Sequence, residues 1–140
     1  MNTAHLLLID DDSDDHLLLH TAVQRSRLPI ELSYHDHRID CRELHGLLTA
    51  RSLILLDFNM PGRNGIDLLS SIRTDPNLKQ QPVLIYSTTC QPESVRRAYA
   101  AGANAFLRKP DSFTDFIRLL GDLCSFWFQS CVLPPTGTAR

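Results

Sequence analysis

The sequence predicts an α/β fold in which five β-α units wrap a parallel sheet. Short apolar runs alternate with amphipathic stretches along the whole chain. The runs are also continuously apolar, as strands covered on both faces of a sheet are, rather than alternating apolar with polar. Strands are expected at residues 5–10, 30–35, 53–57, 83–87 and 105–107. Helices are expected near 13–27, 38–49, 65–73, 92–101 and 112–130. Turn chemistry separates them at Met60-Pro61-Gly62-Arg63-Asn64-Gly65 and at Asp75-Pro76-Asn77. Pro92 suits a first helical turn, Gly102 a left-handed C-terminal cap and Ser112 an N-terminal cap.

A chain of 140 residues, 43% hydrophobic and 21% charged, holds one ordinary globular domain. We place that domain at 1–133, with a flexible tail at 134–140 and no output domain. A net charge of −2 gives no overall drive toward nucleic acid or an anionic membrane. Without a run of 18 apolar residues or a basic start with a cleavage site, the expected location is cytoplasmic. Cys41, Cys90, Cys124 and Cys131 form no CxxC pair and are read as reduced thiols. His16 and His20 share a helical face, but two ligands do not make a zinc site, so they are read as surface histidines.

The first apolar run, Leu6-Leu7-Leu8-Ile9, drives straight into Asp10-Asp11-Asp12, carboxylates that repel one another unless something positive sits among them. Helix capping accounts for Asp12, Ser13, Asp14 and Asp15. It accounts less well for Asp10 and Asp11, which belong to the strand end. A second run, Leu53-Ile54-Leu55-Leu56, ends in Asp57, and strand ends in an open parallel sheet converge where ligands bind. Hard oxygen ligands with open positions suit Mg2+. The last strand runs into Arg108-Lys109-Pro110, which adds a cation at that edge, and Ser87-Thr88-Thr89 add hydroxyls. Together these features describe a phosphoryl-transfer site.

With those residues in view, the chain resembles the response-regulator receiver domains of two-component signalling over about residues 5 to 130. The resemblance rests on Leu8-Ile9-Asp10-Asp11-Asp12, Leu56-Asp57-Phe58-Asn59-Met60-Pro61-Gly62-Arg63-Asn64-Gly65, Pro82-Val83-Leu84-Ile85-Tyr86-Ser87 and Ala101-Gly102-Ala103-Asn104-Ala105-Phe106-Leu107-Arg108-Lys109-Pro110. It implies a flavodoxin-like, doubly wound (βα)5 sheet with strand order 2-1-3-4-5. It implies Asp57 as phosphoacceptor, with Asp10, Asp11, Asp57 and the Asn59 backbone carbonyl holding Mg2+ or Mn2+. Lys109 becomes the phosphate-binding cation and Ser87 the switch hydroxyl, paired with Phe106. The family usually has a cis peptide before the proline matching Pro110.

The implied donor is a sensor histidine kinase or a histidine phosphotransfer protein, and the chain is then a switch and not a turnover enzyme. Phe106 stands where many receivers have Tyr, and Thr88 where a smaller residue is common. A phosphatase of the haloacid dehalogenase type also uses a strand-end Asp with Mg2+ but wants a second acid two residues on, where this chain has Asn59. A flavin carrier is disfavoured because its phosphate-binding first loop would not be three aspartates. The remaining alternative is a receiver-like adaptor or dimerisation module that works without phosphorylation.

On the last helix, Phe113, Phe116, Ile117, Leu120, Leu123 and Trp127 make a stripe expected to pack on the sheet. Leu119, Phe126, Phe128, Val132 and Leu133 lie off it and are read as a partner surface, for a homodimer or a docked kinase. Residues 126–134 also resemble the closing segment of stand-alone receivers that serve phytochrome-type sensor kinases. Arg96, Arg97, Arg108 and Arg118 are read as solvated surface, and without a helix-turn-helix no direct nucleic-acid contact is expected.

Overall fold

The computed structural model describes residues 3–135, so residues 136–140 of the expected tail lie outside the described residues. Five strands, β1 (Ala4–Ile9), β2 (Ile30–His35), β3 (Ser52–Asp57), β4 (Val83–Ser87) and β5 (Ala105–Arg108), form one sheet. Its order is β2-β1-β3-β4-β5 and every pairing is parallel. Five helices connect and follow them: α1 (Ser13–Ser26), α2 (Cys41–Leu47), α3 (Gly65–Thr74), α4 (Pro92–Ala100) and α5 (Phe113–Leu123). This is the flavodoxin-like (βα)5 arrangement expected from the sequence.

The alternation of side chains along each strand divides the core in two. Leu7, Ile9, Ile54, Leu56, Val83 and Ile85 face α2, α3 and α4 through Leu44, Leu68, Leu69, Ile72 and Ala98. Leu6, Leu8, Leu53, Leu55, Leu84 and Tyr86 face α1 and α5 through Leu19, Ala22, Phe116 and Leu120. The central strands β1, β3 and β4 are buried at every residue, whereas edge strands β2 and β5 are mostly half-buried. Continuous apolar composition therefore marks the three middle strands most strongly.

Local chemistry sets the helix ends. Asp12, Asn64 and Ser112 cap α1, α3 and α5 by accepting from Asp14, Ile66 and Asp115 backbone N–H groups. Pro92 occupies the first turn of α4, and Gly102 follows that helix at φ 105°, the left-handed conformation glycine tolerates best. Helix α2 is shorter than the expected 38–49. Asp40 caps it late through Glu43 N at 2.8 Å, because Asp36 first holds Arg38 in a turn, and Ser52 Oγ then accepts from Thr49 N past the other end.

The expected single helix at 112–130 changes character partway. After α5 the chain continues as a π-helical segment, Cys124–Ser130, closed by Cys131 N donating to Phe126 O at 2.7 Å. Wider π turns advance each residue by a smaller angle, so Phe128 swings inward and is 8% exposed. The expected exposure of Phe128 is thereby corrected. Leu119 and Leu133 are half-buried against the same core, which leaves only Phe126 (55% exposed) and Val132 (93%) of that group open to solvent. Arg51 stacks over the Phe128 ring and donates to its carbonyl at 3.0 Å, tying the segment to β3.

Arg73, near the end of α3, crosslinks the α3–β4 and α4–β5 loops at the end of the sheet opposite the acidic cluster. It donates to Gly102 O (2.8 Å), Gln81 O (2.8 Å), Lys79 O (3.2 Å) and Asn104 Oδ1 (2.9 Å). Asn104 Oδ1 in turn accepts from Val83 N at 2.8 Å, at the start of β4. Charge-assisted bonds of this kind leave several carbonyls without a partner when the guanidinium is removed. Arg73→Ala is expected to cost about 3 kcal/mol in urea unfolding, with an unchanged m-value.

Candidate functional site

Strand register brings the acids together before any side chain is considered. Ile9 pairs with Leu56, so Asp10 follows the β1 residue beside the one that Asp57 follows on β3. On the other side Asp57 pairs with Tyr86 and Ser87 with Arg108, which places Lys109 one residue past the edge strand. Gly65, opening α3, presses on the Asp57 carbonyl so closely that a Cβ there would collide with it.

Asp10 is completely buried; its Oδ1 accepts from Asp12 N at 2.9 Å and its Oδ2 from Lys109 Nζ at 3.1 Å. Asp57 is 7% exposed, accepts from Asn59 N at 3.3 Å and lies 3.6 Å from Lys109 Nζ. The Lys109 ammonium sits 5.1 Å above the Tyr86 ring centroid, and Lys109 N donates to Ser87 O at 2.8 Å. The peptide before Pro110 is trans, against the family's usual cis form, and Lys109 still points inward. Buried Ser87 accepts from Thr89 N through Oγ, and exposed Thr88 stands beside it. Phe106 is half-buried, its ring centroid 6.0 Å from that of Phe58.

Asp11 is not gathered into this cluster in the same way. His37 engages both its oxygens, donating from the backbone N to Oδ1 at 2.7 Å and meeting Oδ2 with Nδ1 at 2.7 Å. His16 and His20 have separate partners: His16 Nε2 donates to Asp10 O at 2.6 Å, and His20 Nδ1 meets the Tyr34 hydroxyl at 3.0 Å.

Sequence reasoning missed one member. Asp15, assigned to helix capping, accepts from Lys109 Nζ through Oδ2 at 2.7 Å, while the cap itself is Asp12. A signal was available: Asp15 lies four and seven residues before Leu19 and Ala22, on the buried stripe of α1, where an acid needs a partner. His37 carried no comparable pattern, because its contact with Asp11 joins two loops 26 residues apart.

Three carboxylates thus surround one ammonium. Burial, the hydrogen bond with Asp15 and the charge of Asp57 push the Asp10 carboxyl up to about 8, against the opposing pull of Asp12 N–H and Lys109. Burial likewise raises Asp57, with Lys109 and the Asn59 N–H opposing. Burial disfavours the Lys109 ammonium, but the Asp15 hydrogen bond and the charges of Asp57 and Asp10 outweigh it and raise its pKa. An excess of negative oxygen donors over one fixed cation, on a site open at Asn59, fits a hard divalent cation such as Mg2+.

Comparison with known proteins agrees with this geometry. The response regulator receiver domain model matches residues 6–120, and the chain belongs to that family. Response regulator Rcp1 of Synechocystis is 32% identical over 83 residues, covering 59% of this chain and 56% of Rcp1, so the match spans little more than half of that relative. The phosphorylated cyanobacterial phytochrome response regulator RcpA superposes with a TM-score of 0.79 at 25% identity, over 95% of this chain and 99% of RcpA. The Mn2+-bound form of Rcp1 superposes with a TM-score of 0.73 at 26% identity, over 94% of this chain and 99% of that one.

The raised Asp10 pKa has a definite sign. Between the ordinary 3.8 and about 8 the folded chain binds a proton that the unfolded chain releases, so metal-free stability falls as pH rises through that window. Asp10→Asn removes the penalty. Metal-free urea unfolding at pH 7 should show the variant more stable by on the order of 2 kcal/mol, with a flatter profile between pH 5 and about 8.

Proposed function

We propose that this receiver takes a phosphoryl group onto Asp57 from a phosphohistidine and signals through a change of shape. The observation that carries the proposal is the Lys109 ammonium held between Asp10 and Asp57, at 3.1 and 3.6 Å. In the reaction the Asp57 carboxylate attacks phosphorus, the P–N bond to the donor imidazole breaks as the P–O bond forms, and the imidazole leaves with the bonding pair. Lys109 neutralises phosphoryl oxygens as a point charge. Mg2+ or Mn2+, held by Asp10, Asp11, Asp57 and the Asn59 carbonyl, would supply further charge neutralisation on the transferring group. Water later hydrolyses the acyl phosphate, so the state is transient.

The switch is assigned to Ser87 and Phe106. A phosphoryl group on Asp57 favours the conformer in which the Ser87 hydroxyl turns toward it and Phe106 moves into the vacated space. Phe106 already packs on Phe58, next to the phosphoacceptor, and its backbone N donates to the Tyr99 hydroxyl at 3.2 Å. The likeness to the phytochrome response regulator RcpA supports a phytochrome-type sensor kinase as donor, with a histidine phosphotransfer protein as the alternative. Exposed Phe126 and Val132 support a homodimer or kinase contact at the end of α5. Among the described residues no helix is long and apolar enough to cross a membrane.

Incubation with acetyl phosphate and Mg2+, read on a phosphate-affinity gel, tests the central claim. The wild type should shift and Asp57→Asn should not, and chelation of the metal should abolish the shift. A wild type that never shifts would favour a phosphorylation-independent adaptor.

A further inference from the structure

Lys109 has three carboxylates within reach, and the phosphoacceptor is the most distant. Nζ lies 2.7 Å from Asp15, 3.1 Å from Asp10 and 3.6 Å from Asp57. Asp15 is held ready for this contact. It stands in the first turn of α1, where the helix field favours a carboxylate, and its side chain is 19% exposed. It is not needed as the cap, which Asp12 provides, and the neighbouring acid Asp14 is exposed. The Tyr86 ring closes the cage from another side, with Nζ 5.1 Å from its centroid.

We propose that Asp15 is a positioning residue that competes with the Asp57-bound phosphoryl group for the Lys109 ammonium, holding the lysine back until that group draws it across. This rests on the phosphoacceptor reading above. An ammonium bonded to a full carboxylate has one donor fewer for an incoming anion, and the Asp15 charge opposes that anion directly. Drawing the ammonium toward a phosphoryl group on Asp57 stretches the Lys109–Asp15 contact, so Asp15 sets how readily the switch is thrown.

The test uses the full chain, saturating Mg2+ and beryllofluoride, a phosphoryl mimic, with affinity measured by calorimetry. Asp15→Asn keeps the shape and removes the charge; it should bind the mimic about fivefold more tightly or better. Asp15→Glu keeps the charge and should stay near wild type. Unchanged or weaker binding by Asp15→Asn overturns the proposal, as does an equal shift in both variants, which would mark a packing role. Wild type that fails to bind the mimic removes the phosphoacceptor reading itself, a result distinct from the others.

A second measurement needs no variant at the site. The chain has two lysines, Lys79 and Lys109, so 15N spectra of the side-chain ammonium groups are assigned with Lys79→Arg alone. The Lys109 resonance should move when beryllofluoride is added to the Mg2+ form; a resonance that stays in place overturns the exchange of partners.

Discussion

Among the described residues Lys109 is the one ammonium beside Asp10, Asp15 and Asp57, and the rest of the molecule is organised so that this crowding is tolerable. Buried like charges repel strongly where water cannot screen them. Each acid is therefore anchored by more than the lysine. Asp10 accepts from Asp12 N, Asp57 from Asn59 N, and Asp15 enjoys the start of α1. Even so, Asp10 and Asp57 hold protons more tightly than ordinary carboxyls do, a residual strain that a divalent cation would relieve.

That arrangement is a product of topology. Placing β1 and β3 side by side at the centre puts two strand ends, both terminating in aspartate, next to each other. β4 and β5 then extend the sheet so that Ser87 and Lys109 reach the same edge from the far side. The opposite edge is pinned by Arg73, whose bonds to Gly102, Gln81, Lys79 and Asn104 fix where β4 and β5 begin. The Arg73 bonds and the acids around Lys109 thus sit at opposite ends of one sheet, the acids at the strand carboxyl ends where open α/β folds bind ligands.

The C-terminal segment shows how a local change in helix geometry redistributes a surface. In a regular α-helix through residue 130, Phe128 would fall at the margin of the buried stripe, on the flank away from Phe126. The π turns at Cys124–Ser130 instead send Phe128 into the core under Arg51 and leave Phe126 and Val132 as the exposed apolar side chains there. A contact surface inferred from residue types alone was broader than the one the fold presents.

The sequence by itself determined the α/β class, the five strands and the identity of Asp10, Asp57, Ser87 and Lys109 as a convergent set, because apolar runs ending in charged residues are local patterns with a period that can be read directly. It also located Pro92, Gly102 and Ser112 at helix ends, where backbone preference is a property of the residue. Only the tertiary structure decided that Asp15 and not Asp57 is the nearest partner of Lys109, and that His37 occupies Asp11. Those contacts join residues 94 and 26 positions apart, and their distances follow from packing between elements, which no local pattern encodes.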